Sequence, residues 1–138
     1  MATLFSRIAA GEIPSHRIAG NDEFFAFLDI NPIAEGHTLV IPKKEVDYLF
    51  DLDDDVLGRM MTFAKTVARA LEQAIPCKRI GLTVIGLEVP HAHIHLVPLQ
   101  KESDIFFGNP KLKKTPEELA QIAAKIRGKY SAIIQPVS

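Results

Sequence analysis

Three histidines stand at alternate positions in His91-Ala92-His93-Ile94-His95-Leu96-Val97-Pro98. Successive side chains of a strand point to opposite faces, so an extended segment here sets three imidazoles on one side at a pitch of about 6–7 Å. Ala92, Ile94 and Leu96 then turn the other way, into a core. Each imidazole brings a donor and an acceptor that need partners, so such a row is poor packing material. Two chemistries use it. Neutral imidazoles hold tetrahedral zinc at about 2.0–2.1 Å. Alternatively, one imidazole serves as a nucleophile toward phosphorus while its neighbours fix its tautomer and bind oxygens. His37, which follows Gly36 and opens another apolar run, is a fourth candidate, and Asp29 precedes the Asn31-Pro32 break. As a residue, Asp29 reads as a turn former. His16 carries no signal, and Lys43-Lys44 reads as a solvated pair.

The elements that must position these groups are legible in outline. Thr3 to Ala10 reads as a short helix with Leu4, Phe5 and Ile8 on one face, stopped by Gly11 and Pro14. Ser15 to Ala19 and Glu23 to Leu28 read as strands joined through Gly20-Asn21-Asp22. Thr38 to Ile41 is a further strand. A long helix is expected from about Asp54 to Ile75, with Leu57, Met60, Met61, Ala64, Val67, Ala68, Leu71 and Ile75 at helical spacing. Acidic residues 53–55 favour its positive end. Strands follow over Arg79–Ile85 and His91–Leu99, then a long loop from Lys101 to Lys114. Thr115-Pro116-Glu117-Glu118 has the pattern of a capping box with proline at the first helical position. The last helix carries Leu119, Ile122, Ala123 and Ile126 inward and is expected to stop at Gly128. The pattern is that of a single α+β domain with a mainly antiparallel sheet.

Composition narrows the classes. The chain has 138 residues, 47% apolar and 24% charged, which suits one globular domain rather than a disordered or fibrous protein. With 16 basic and 17 acidic side chains, its formal charge of −1 gives no bulk attraction to nucleic acid or anionic lipid. One cysteine, Cys77, makes no internal disulfide. No apolar run reaches the ~20 residues of a membrane span, and Arg7 and Glu12 interrupt any signal-peptide core, so a cytoplasmic protein is expected.

The row matches the H-φ-H-φ-H-φ-φ signature of the histidine triad (HIT) superfamily of nucleotide hydrolases and transferases. Further segments resemble its HINT branch in the right order: Phe5-Ser6-Arg7-Ile8 with Gly11-Glu12-Ile13-Pro14, then Ala26-Phe27-Leu28-Asp29-Ile30-Asn31-Pro32, then Gly36-His37-Thr38-Leu39-Val40-Ile41-Pro42-Lys43. The resemblance covers roughly residues 3–99. It implies an antiparallel sheet of about five strands with a long central helix and N- and C-terminal helices. His93 falls on the family nucleophile, which attacks the α-phosphorus of a nucleotide and forms a nucleotidyl-imidazole. His95 and His37 fall on phosphate-binding histidines, and His91 on the residue that orients His93. Asp29, with Ile30 beside it, falls on the ribose-binding carboxylate. Phe5, Ile8 and Phe27 match the apolar base pocket, although as residues they read equally well as ordinary core.

Before the triad the chain departs from that pattern. The usual asparagine is missing, Leu87 stands where a glutamine is common, and Glu88 where a serine or threonine contacts phosphate. A carboxylate there repels phosphate unless it is protonated or turned away. Thr3 and Ser6 occupy the region where zinc-bearing relatives have a cysteine pair, so no structural zinc and no cofactor are expected. The resemblance therefore implies a hydrolase of purine nucleoside phosphoramidates or related adducts of AMP or GMP, forming a homodimer. Two other readings stand beside it: a nucleotide-binding protein with little turnover, and a zinc-dependent hydrolase using the row as ligands.

Overall fold

A computed structural model describes residues 2–135. Five strands form one antiparallel sheet: β1 (Arg17–Gly20), β2 (Phe24–Leu28), β3 (Thr38–Pro42), β4 (Arg79–Thr83) and β5 (Ile94–Leu99). Their spatial order is β1-β2-β3-β5-β4, so β3 and β5 lie side by side at the interior of the sheet. The helices are α1 (Leu4–Ala9), α2 (Asp54–Ala74) and α3 (Pro116–Ile134).

The sheet is covered on both faces. Every residue of β2 and β3 is buried, which explains the imperfect alternation of Phe24-Phe25-Ala26-Phe27. Phe24, Ala26, Leu28, Val40, Ile94 and Leu96 pack with α2 and α3 in the main core. On the opposite face Phe25, Phe27, Leu39 and Ile41 meet Phe5 and Ile8 of α1 in a second, smaller cluster. The four histidines under consideration share this second face.

Several local expectations are corrected. β1 begins and ends later than Ser15–Ala19, with a register shift between Arg17 and Ala19. In α2 the inward stripe is Met60, Phe63, Ala64, Val67, Ala70, Leu71 and Ala74, while Met61 is exposed, because the stripe follows a 3.6-residue period that favours 63 over 61. Strand structure ends at Thr83 rather than Ile85 and resumes at Ile94 rather than His91. The expected loop after β5 contains a 3-10 turn, Glu102–Ile105. Gly128 does not stop α3. A side chain there would meet nothing within 4 Å, and the burial of Ile126 and Tyr130 on either side carries the helix on to Ile134. The capping box expected at its start is present: Thr115 and Glu118 exchange side-chain and backbone hydrogen bonds of 3.1 and 2.9 Å.

Candidate active site

Strand register brings distant residues together. Leu39 of β3 pairs with His95 of β5, and Leu28 of β2 pairs with Thr38 of β3. One residue beyond that second pair, the Asp29 amide donates to the His37 carbonyl at 3.0 Å. The chain enters β3 through Gly36, whose φ of +88° is a conformation that L side chains rarely adopt. A Cβ there would also come within 3.0 Å of Ile75 and 3.1 Å of Leu71. Glycine thus lets the turn lie against α2 and delivers His37 into the site.

His91 and His93 lie in the lead-in to β5, yet the alternation holds: Ala92, Ile94 and Leu96 enter the main core and the histidines face away from it. All of His91, His93, His95 and His37 are buried. The His93 and His95 ring centroids are 4.8 Å apart at 67°, closer than the strand pitch because the rings tilt edge to face.

Backbone groups assign the tautomers. His93 Nδ1 lies 2.8 Å from the His91 carbonyl, which can only accept, so Nδ1 carries the proton and Nε2 of the neutral ring keeps its lone pair. His91 Nε2 lies 2.7 Å from the Pro42 carbonyl and must donate to it. In the Nε2–H tautomer, Nδ1 of His91 accepts from the Thr3 hydroxyl at 2.6 Å. The Ile33 amide donates to His37 Nδ1 at 3.2 Å, so His37 carries its proton on Nε2. That N–H points at His95 Nδ1, 3.0 Å away. His95 consequently holds its own proton on Nε2.

Burial keeps three of the imidazoles neutral. It is the largest cause lowering the pKa of His93 and of His37, and in His95 it combines with the fields of His93, His37 and Lys111 to bring the pKa to about 3. At neutral pH these three rings are neutral.

The two readings of Asp29 turn out to be compatible. One oxygen, Oδ1, accepts from the Asn31 amide at 2.8 Å and forms the turn. The other, Oδ2, lies 3.7 Å from His37 Nε2 and is partly exposed toward the site. Ile30 beside it is 63% exposed. Phe5, Ile8 and Phe27 are buried against one another, and Phe5 also stands edge-on to His93 at 5.0 Å and His91 at 6.0 Å. Glu88 is exposed in the loop before the triad, and its charge raises the His93 pKa slightly against burial.

Two residues of this site escape the sequence reading. The Phe107 ring stands edge-on to His95 at 4.6 Å and to His37 at 5.7 Å. Lys111 Nζ lies 5.5 Å from the centre of that ring. Their segment is pinned across the Pro32–Glu35 turn by Leu112 N–H to the Pro32 carbonyl at 2.8 Å and by a Lys114–Glu35 ion pair at 2.9 Å. The apolar run Ile105-Phe106-Phe107, set among charged and polar neighbours, is the signal that could have been read.

Donor atoms of Asp29, His37 and His95 lie within 4.8 Å of one another, close enough for one cation. Proton placement opposes it, because the Ile33 amide holds the lone pair of His37 Nδ1 and leaves a proton, not a lone pair, on Nε2. Nor does the row of three offer a ligand set: both nitrogens of His91 are engaged within the protein.

A family model described as "HIT domain" matches residues 10–102. The chain is 33% identical over 130 residues to an adenosine 5'-monophosphoramidase of Saccharomyces cerevisiae, covering 93% of this chain and 82% of that one. A crystal structure of a HIT-like protein from Bartonella henselae superposes with a TM-score of 0.79 at 31% identity, covering 92% and 95% of the two chains. A histidine triad nucleotide-binding protein from Sulfolobus tokodaii superposes with a TM-score of 0.81 at 26% identity, covering 96% and 95%.

Proposed function

The chain belongs to the HIT domain family and has its α+β fold, and on that premise we propose that it hydrolyses nucleoside monophosphate adducts, purine nucleoside phosphoramidates foremost, through a nucleotidyl-His93 intermediate. The observation that carries this reading is the hydrogen bond from His93 Nδ1 to the His91 carbonyl, which leaves Nε2 as a buried, neutral nucleophile.

In the first step the Nε2 lone pair forms a bond to the α-phosphorus as the P–N bond to the leaving amine breaks. The amine nitrogen keeps that electron pair and takes a proton from solvent, while the neutral His95 ring only donates a hydrogen bond through Nε2–H. Water then attacks the phosphorus and releases one proton to solvent, which balances the one taken up by the amine. The P–Nε2 bond breaks, its electron pair returns to Nε2, and the nucleoside monophosphate leaves with His93 restored. His37 and His95 contribute through their N–H dipoles rather than through full charge. Asp29 takes the ribose hydroxyls with its free oxygen, and the Phe5, Ile8 and Phe27 face receives the base. The phosphoramidase named among the relatives supports the substrate class.

The test is hydrolysis of adenosine 5'-phosphoramidate by wild type and by His93→Ala, with AMP binding followed in both. Loss of the nucleophile should lower turnover by several powers of ten while AMP still binds. Residual turnover near wild type in the variant would refute covalent catalysis by His93. A second reading, nucleotide binding with little turnover, is favoured by the loop before the triad, where Leu87 and Glu88 are exposed and supply no neutral donor. Wild type that binds AMP without turning over would establish it.

We further propose a homodimer formed through the β4 edge and the neighbouring face of α2. Leu82 and Met61 are exposed there beside Ala68 and Ile80, an apolar surface next to unpaired strand backbone. Sedimentation should give a dimer that Leu82→Lys converts to monomer; a monomeric wild type would sink the proposal.

A further inference from the structure

The hydroxyl of Thr3 belongs to a hydrogen-bond chain that ends on the candidate nucleophile. Ser6 N–H donates to Thr3 Oγ1 at 3.0 Å, so Thr3 caps α1. The same oxygen turns its hydrogen to His91 Nδ1 at 2.6 Å. His91 Nε2–H donates to the Pro42 carbonyl at the end of β3, and the His91 carbonyl accepts from His93 Nδ1. His91, completely buried, is therefore held at both ring nitrogens, by α1 on one side and by β3 on the other. Its carbonyl fixes the tautomer of His93.

The N-terminal segment is itself anchored. Thr3 N–H donates to Glu45 Oε1 at 3.3 Å. Phe5, two residues on, packs edge-on to both His91 and His93. No role in binding or turnover has so far fallen to Thr3 or Glu45. Yet Thr3 reaches His91 across 88 residues of sequence with the shortest side-chain hydrogen bond around the triad.

We propose that Thr3 is a positioning residue for the reaction, acting through His91: its hydroxyl holds the His91 ring, and thereby the His91 carbonyl that aligns His93. The inference rests on His93 being the nucleophile only for its kinetic consequence. The hydrogen-bonding state of His91 can be read without turnover.

Thr3 also caps a helix, so the variants must separate the two roles. Thr3→Ser keeps the cap and the donated hydrogen. Thr3→Asp keeps a capping oxygen but, ionised, has no hydrogen to donate, and it faces the His91 Nδ1 lone pair with a carboxylate. Thr3→Val loses both. If the clamp positions His93, Thr3→Ser should retain near-wild-type kcat and the wild-type ¹⁵N shifts of His91. Thr3→Asp should then move His91 Nδ1 from acceptor to protonated in its ¹⁵N spectrum. It should also lower kcat for adenosine 5'-phosphoramidate by about tenfold to a hundredfold, as sub-ångström to ångström misplacement of a reacting group does, with AMP affinity little changed. Thr3→Val should lose kcat similarly.

Unchanged ¹⁵N shifts of His91 in both Thr3→Asp and Thr3→Val would overturn the proposal. So would shifted spectra accompanied by wild-type kcat, or losses in Thr3→Ser equal to those in Thr3→Val. If wild type itself shows no turnover, the functional reading fails instead, and the ¹⁵N spectra still decide whether Thr3 holds His91.

Discussion

His37 and His95 share a directed hydrogen bond: His37 Nε2 donates to His95 Nδ1 across 3.0 Å, with its direction set by the Ile33 amide on the far side of the His37 ring. This bond orients the last donor of the chain, the N–H on His95 Nε2, without a formal charge on either ring. An imidazolium at either position would disrupt the order, because each Nδ1 is needed as an acceptor. The burial that lowers both pKa values protects this arrangement.

That protection has a consequence for stability. His95 titrates near 3 in the folded chain against 6.5 as its ordinary value. As pH falls below about 6.5 the unfolded chain takes up a proton that the folded chain refuses, so stability is lost progressively between roughly pH 6.5 and 3, by up to about 1.4 kcal/mol per pH unit for each such proton. His37 and His93 shift in the same direction. Urea unfolding from pH 7 to pH 4 should show a steep decline, made shallower by His95→Gln. Equal slopes in the two proteins would contradict the assignment.

Activity should follow the same sign. A neutral nucleophile with a lowered pKa stays neutral in weak acid, so the acid limb of kcat/KM for adenosine 5'-phosphoramidate, which reports the free enzyme, should lie below pH 6.5 rather than at it. A limb at or above pH 6.5 would show His93 to be solvated in solution.

Asp29 uses one oxygen for its turn and leaves the other toward the site. Asp29→Asn should keep the turn, since Oδ1 remains, but weaken AMP by about tenfold to a hundredfold, the worth of one or two charge-assisted hydrogen bonds. A 2',3'-dideoxy analogue should distinguish the variant from wild type hardly at all. Calorimetry with both ligands checks this, and an equal loss for both would point to a damaged turn instead of lost ribose contacts.

Phe107 supplies part of the apolar cover of His37 and His95. Phe107→Ala should raise the His95 pKa from about 3 toward its ordinary 6.5, because burial is its largest cause. The half-buried ring should also contribute about 1–3 kcal/mol to stability. An NMR titration of His95 and a denaturant series measure the two effects. An unmoved His95 titration would mean that β3 and α1, not the loop after β5, keep water from the site.

The sequence by itself determined which side chains face which way wherever a period could be read. The two-residue repeat from His91 to Leu96 separates imidazoles from core whether or not the strand has formally begun, since an extended backbone alternates in either case. The capping box at Thr115 and the turn oxygen of Asp29 were legible for a related reason, being bonds between residues two or three apart. Signals of that local kind fail where tertiary packing outweighs them. Gly128 lowers helix propensity by about 1 kcal/mol, and the burial of Ile126 and Tyr130 overrides it.

Only the tertiary structure decided which nitrogen of His91, His37 and His95 carries its proton, whereas the His93 tautomer follows from the His91 carbonyl two residues back. The partners that settle it are Thr3 and the Pro42 carbonyl for His91, and the Ile33 amide for His37. The first two lie on other elements, and the third lies in a turn whose close approach depends on Gly36. Phe107 likewise arrives from a loop with no periodic pattern to announce it. An imidazole's chemistry depends on directed contacts within about 3 Å, and residue type and spacing along the chain carry no record of those directions until strand pairing and loop closure set them.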